Sequence, residues 1–121
     1  QNQQAFTYAS STGKAYISAI VAGHDEIWEI NPATAVVDHA YDLTGITSGI
    51  SSMAYDSVNN RIFVVDLLNG VGVVIDPTNR TIICQLATPF FGFAYDSLVC
   101  DPVSGIFYFS DNVNGNISKW T

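Results

Sequence analysis

Nucleophilic catalysis needs a base beside a serine, threonine or cysteine, and the only histidines here are His24 and His39. Gly45-Ile46-Thr47-Ser48-Gly49 has glycines spaced as in a turn that presents a nucleophile. Its central residue is Thr and no helical pattern follows, so it reads as a loop between structural units. His24, Asp25 and Glu26 offer three metal-binding groups in a row. Consecutive residues of an extended segment face opposite ways and rarely converge on one ion, so the trio reads as a polar loop tip. No run of oxygen ligands around a glycine has calcium-loop spacing. The expectation is no catalytic residue, no bound metal and no cofactor.

Charge narrows the partners. Four basic residues, Lys14, Arg61, Arg80 and Lys119, stand against 11 acids, for a net charge of -7. Such a chain cannot neutralise a row of phosphates, which excludes nucleic acid and disfavours an anionic membrane surface. The apolar runs are broken well short of a membrane span, so no membrane insertion is expected. A start at Gln1 without Met suits a processed chain, and removal of an export signal is one route to it. Two sequons, at Asn79 (Asn-Arg-Thr) and Asn116 (Asn-Ile-Ser), are candidate glycosylation sites and fit an extracellular or cell-surface protein.

The elements that carry these residues read as strands. Short runs rich in Val, Ile, Phe and Tyr, bounded by Gly, Asn, Asp or Pro, predict eleven strands and no helix. They fall at residues 5–9, 14–21, 26–30, 36–42, 51–56, 61–67, 71–76, 81–87, 96–101, 106–111 and 116–120.

A repeat of 45 residues organises them. It lays Asp56-Ser57-Val58-Asn59-Asn60 on Asp101-Pro102-Val103-Ser104-Gly105, and Ile62-Phe63-Val64 on Phe107-Tyr108-Phe109. Asp66 then falls on Asp111 and Asn69-Gly70 on Asn114-Gly115, without a gap. An upstream copy aligns Gly13-Lys14-Ala15-Tyr16-Ile17 with Asn60-Arg61-Ile62-Phe63-Val64, and Ile30-Asn31-Pro32 with Ile75-Asp76-Pro77. Between these two matches it carries an insertion around residues 21–25. Four strands in about 45 residues is the size of one propeller blade. The expected fold is therefore all-β, a single domain over residues 1–121 built of β-propeller-type blades of four antiparallel strands. Blade one spans about residues 5–42, blade two about 51–87 and a partial blade three about 96–120. A two-sheet sandwich is the competing arrangement.

Cys100-Asp101-Pro102-Val103-Ser104-Gly105-Ile106-Phe107-Tyr108-Phe109-Ser110-Asp111 resembles the YWTD repeat of low-density-lipoprotein-receptor class B propellers, within a wider group of NHL-like and YVTN-like propellers. The tetrapeptide here is Tyr108-Phe109-Ser110-Asp111. Blade two, with Phe63-Val64-Val65-Asp66, departs further from it, and blade one, with Tyr16-Ile17-Ser18-Ala19, lacks the acid. The resemblance implies that Asp66, Asp101, Asp111 and Tyr108 are structural and hold blades in register. Gluconolactonase-type and strictosidine-synthase-type propellers are similar in repeat style, and the alternative they imply is half of a ligand-binding or enzymatic propeller.

At 45 residues per blade, 121 residues supply about 2.7 blades, an incomplete ring. The last strand, Asn116-Ile117-Ser118-Lys119-Trp120, would present an open edge for strand addition by another copy or by the rest of a longer chain, and Gln1–Gln4 could reach such a neighbour. Repeated without closure, that contact gives a filament. Phe90 and Phe91 stand in a turn and could dock another extracellular protein or a glycan, although packing between blades two and three is the simpler use. Cys84 falls on an outermost strand and Cys100 on an innermost one. Blade geometry would separate them by about 14 Å, too far for a disulfide, so two unpaired buried thiols are expected. The function these features suggest is a non-enzymatic extracellular scaffold or adhesion module.

Overall fold

The computed structural model describes residues 5–66, 69–87, 95–111 and 116–120; of residues 86, 87, 95–98, 109–111 and 116–120 it describes the backbone alone. Every regular element is a strand: β1 Phe6–Ala9, β2 Lys14–Val21, β3 His24–Asn31, β4 Val36–Asp42, β5 Ser52–Asp56, β6 Arg61–Asp66, β7 Val71–Asp76, β8 Thr81–Ala87, β9 Tyr95–Cys100, β10 Phe107–Asp111 and β11 Asn116–Trp120. They make three antiparallel sheets in chain order: β1 to β4, β5 to β8, and β9 to β11 with β11 at the edge. The first strands lie side by side, β1 against β5 and β5 against β9. No helix among the described residues is long and apolar enough to cross a membrane.

The 45-residue period is visible in the backbone. The β3–β4 pairing slips between Glu29 and Ile30, and the β7–β8 pairing slips 45 residues later, between Val74 and Ile75. Five hairpins, β1–β2, β3–β4, β5–β6, β7–β8 and β9–β10, end in a left-handed residue: Gly13, Ala35, Asn60, Arg80 and Gly105, with φ between 55 and 74°. Only glycine adopts that conformation without steric cost, so Ala35 and Arg80 are held there by the turn around them. In four of these turns the opening Asn or Asp closes the loop onto its own backbone. Asn31 accepts from Ala33 N at 2.9 Å, Asp56 from Val58 N at 2.9 Å, Asp76 from Thr78 N at 3.0 Å and Asp101 from Val103 N at 3.0 Å.

One departure from expectation is at residues 21–26. Rather than a loop insertion, β2 and β3 run on to Val21 and His24 and meet in the tight turn Ala22-Gly23, both at positive φ. His24, Asp25 and Glu26 are therefore strand residues, not a loop tip. Strand alternation is legible mainly in apolar residues, and the polar start of β3 hides its pairing.

The pleat assigns faces. Ala5, Ala9, Tyr16, Ile27 and Tyr41 of the first sheet enter a core shared with Met53, Ile62, Val64, Val73 and Ile75 of the second. The opposite face of the second sheet meets the third, where the Phe63 and Phe107 rings lie 4.8 Å apart.

Candidate functional site

Where β1, β5 and β9 run together, an open groove of about 400 Å³ is lined by Phe6, Tyr8, Met53, Tyr55, Val99 and Cys100, with hydroxyls from Thr7, Ser10 and Ser57. Among the described residues no acid, histidine, lysine or arginine lines it. Burial, aided by the Asp56 and Asp101 charges, pushes the Cys100 thiol up to about 11, so it stays protonated and weakly nucleophilic at neutral pH. The groove can hold an uncharged or apolar group. Its wall offers no acid–base pair to transform one.

The charged groups sit at the two ends of the sheets. At one end, the connection between the first and second sheets, residues 43–51, is gripped from both sides. Thr47 Oγ1 donates to the buried Asp25 carboxylate of β3 at 2.6 Å, and the next residue, Ser48, donates its backbone N–H to Asp66 of β6 at 2.9 Å. Asp66 is 0% exposed and also accepts from Asn69 N at 3.2 Å and Asn69 Nδ2 at 2.8 Å. The glycine-flanked stretch at 45–49 is thus a tie between sheets, its Thr47 hydroxyl committed to Asp25.

At the other end the hairpin turns touch one another. Ser11 Oγ donates to Asn60 Oδ1 at 2.6 Å, Asn60 Nδ2 to Thr78 Oγ1 at 2.9 Å, and Ser57 Oγ to the Pro102 carbonyl at 3.3 Å. Arg80 reaches from the β7–β8 turn to Glu29 on β3 with Nη2–Oε2 at 2.8 Å. Glu29 is 2% exposed, and donation to it, with its charge, raises the already high pKa of Arg80. Beside this pair burial lifts the Tyr16 hydroxyl to about 12 and raises Tyr41 further.

Of the histidines, His39 is the cross-strand partner of Glu29, and His24 lies at the other end of β3. His24 Nε2 is 2.8 Å from Glu26 and 3.7 Å from Asp42, and Trp28 Nε1 donates to Glu26 at 2.9 Å. The Trp28 and His24 contacts hold the Glu26 carboxyl below its usual value. Asp25 points to the opposite face, so the trio does not converge. His39 stands edge-on to Tyr41, with ring centroids 4.6 Å apart. Among the described residues no three His, Cys, Asp or Glu side chains are grouped to hold a metal ion.

The other residues singled out by sequence are dispersed. Asp101 closes its own turn through Val103 N and Ser104 Oγ, which lowers its pKa. Contact with the second sheet is made by Phe107, which the sequence did not single out, and Tyr108 falls on the other face of β10. Asn79 is exposed in its turn, with Nδ2 donating to Asp76 at 2.9 Å. Cys84 and Cys100 are both unpaired, but Cys84 is exposed rather than buried, because β8 is the outer strand of its sheet. The backbone of 116–120 forms the edge strand β11 and Asp111 pairs with Asn116; the side chains of Asp111, Asn116, Ile117, Ser118, Lys119 and Trp120 are outside the description. Phe90, Phe91 and Gln1–Gln4 lie outside the described residues.

Sequence reasoning missed Glu29, Arg80 and Thr47 as joining residues. One signal was readable: Glu29 alternates with Ile27 and Asp25 on the buried side of β3. An acid at an apolar register position asks for a cation. No family model matches the chain, and no curated protein matches it.

Proposed function

We propose that this chain is a non-enzymatic extracellular scaffold or adhesion module. Its sheets act as propeller-type blades, and it assembles through the β11 edge with another copy or with further sheets of a longer chain. One observation carries the reading. Three like antiparallel sheets stand with their first strands together, and the third has β11 at its rim as a strand with one side unpaired among the described residues. Such an edge is a template for an added strand. The uncharged groove and the protonated Cys100 favour a structural role over catalysis. The exposed sequon at Asn79 supports an extracellular setting.

Light scattering across a concentration series, with electron microscopy of the same sample, tests the reading. Closed rings or fibres support it. A monomer at every concentration overturns it.

A further inference from the structure

The first sheet has a largely apolar face that no other sheet covers among the described residues. Its inward residues, Tyr16, Ile27 and Tyr41, meet the second sheet, so by the pleat their neighbours face away. Across the strands those neighbours form a row by direct pairing: Phe6 with Ile17, Ile17 with Trp28, and Trp28 with Ala40. A second row runs Tyr8, Ala15, Ile30, Val37. A sheet with one face in solvent normally alternates apolar with polar residues, and these two rows carry no charge; the charge on this face is confined to the next row, Ala19, Glu26 and Asp42. Phe6 is 76% exposed, Tyr8 56% and Val37 42%.

The repeat says what such a face is for. Ala15 and Ile17 occupy the positions of Ile62 and Val64, both 0% exposed, by which the second sheet meets the first. Phe107, at the equivalent of Ile62, meets the second sheet in the same way. Each sheet therefore offers its Ile62-type face to the Phe63-type face of the sheet before it. Among the described residues no sheet meets the first sheet's Ile62-type face or the third sheet's Phe63-type face. The latter carries Tyr108, the equivalent of Phe63, paired with Val99, which is 61% exposed.

We infer that the outer face of the first sheet docks the third sheet of a second copy, continuing between chains the stacking that joins the sheets within one. This rests on the assembly reading and adds to it a face-to-face contact independent of the β11 edge. The contact is head-to-tail, one surface on a different one, so it closes into a ring or propagates.

The test is Phe6→Lys, at a largely exposed site where folding is little affected, with Val103→Lys as control. Val103 is 85% exposed in the β9–β10 turn, away from the face. Both changes move the net charge of -7 towards zero, so weaker association cannot come from added repulsion. Phe6→Lys should weaken self-association at least about tenfold by light scattering, and Val103→Lys should leave it unchanged. A photo-crosslinker at position 37, on the same outer face and away from the groove, should capture β9–β11 of another copy. Assembly that survives Phe6→Lys, or crosslinks back to β1–β4, overturns the face contact while the edge-assembly reading stands. A wild-type chain that stays monomeric overturns both.

Discussion

The two ends of the sheets use the same residue type for different work. At the hairpin end Asp56 is 4% exposed and accepts from Val58 N, Asn59 N and Asn59 Nδ2, all within its own turn. At the connector end Asp66 is 0% exposed and accepts a similar set from Asn69, but also takes Ser48 N from 18 residues earlier. One carboxylate closes a loop and the other joins two sheets. What separates them is the sequence distance of the partner, not chemistry or burial.

Substituting the pair measures that contrast. Asp66→Ala removes three accepted hydrogen bonds, one of them the bond that ties the connector to the second sheet, and should cost about 2–3 kcal/mol, read as a lower urea midpoint. Asp56→Ala removes bonds that stay within one turn and leaves the contact between sheets in place, and should cost about 1 kcal/mol. Amide exchange at Ser48 should quicken in the first variant only. Equal costs and equal exchange would erase the distinction between the two ends.

Arg80→Ala sharpens it differently, because this turn residue serves a joint between sheets. Its loss leaves the buried Glu29 carboxylate without its cation. The cost should exceed that of removing a purely local contact such as Asp101→Ala, and should shrink in high salt because Arg80 itself is 46% exposed. A salt-independent loss would mean the guanidinium works by packing alone.

Ala35→Gly tests the turns as self-sufficient units. Ala35 is exposed and sits at φ 58°, so glycine should relieve strain and stabilise by about 0.5–1 kcal/mol in thermal melts. Destabilisation would show that the Ala35 methyl makes a needed contact.

Acid gives the smallest effect per residue. Donation from Asn79 lowers the pKa of Asp76, and donation from Ser104 lowers that of Asp101. A carboxylate whose folded pKa lies below its unfolded value of about 4 contributes stability above that pH and loses it as pH falls through the folded value. Urea midpoints should therefore decline below about pH 4, and Asp101→Asn should flatten part of that decline. An unchanged slope would remove Asp101 from the account.

The same contrast explains what could be read in advance. Asp-Pro-Val-Ser-Gly announces a turn because every bond that closes it lies within five residues, and all eleven strands lie within two residues of the bounds the punctuation gave them. Asp25 with Thr47 and Glu29 with Arg80 are 22 and 51 residues apart, and no local pattern links them. The β2–β3 turn was obscured because Ala22 takes the left-handed position usually marked by Asn, Asp or Gly. Phe107 meets the second sheet while Tyr108 falls on the other face of β10, a division made by the pleat that residue identity does not announce.

The turns that close on themselves also set how the sequence is free to drift. A loop such as Asn31–Ala35, whose bonds stay at home, can exchange residues singly as long as its own opening cap survives. Thr47, Ser48, Asp25 and Asp66 have no such freedom: a change in the connector must be matched by a change on a neighbouring sheet. Variation should therefore accumulate residue by residue in self-closed turns such as Asn31–Ala35, and move in correlated pairs in the connector.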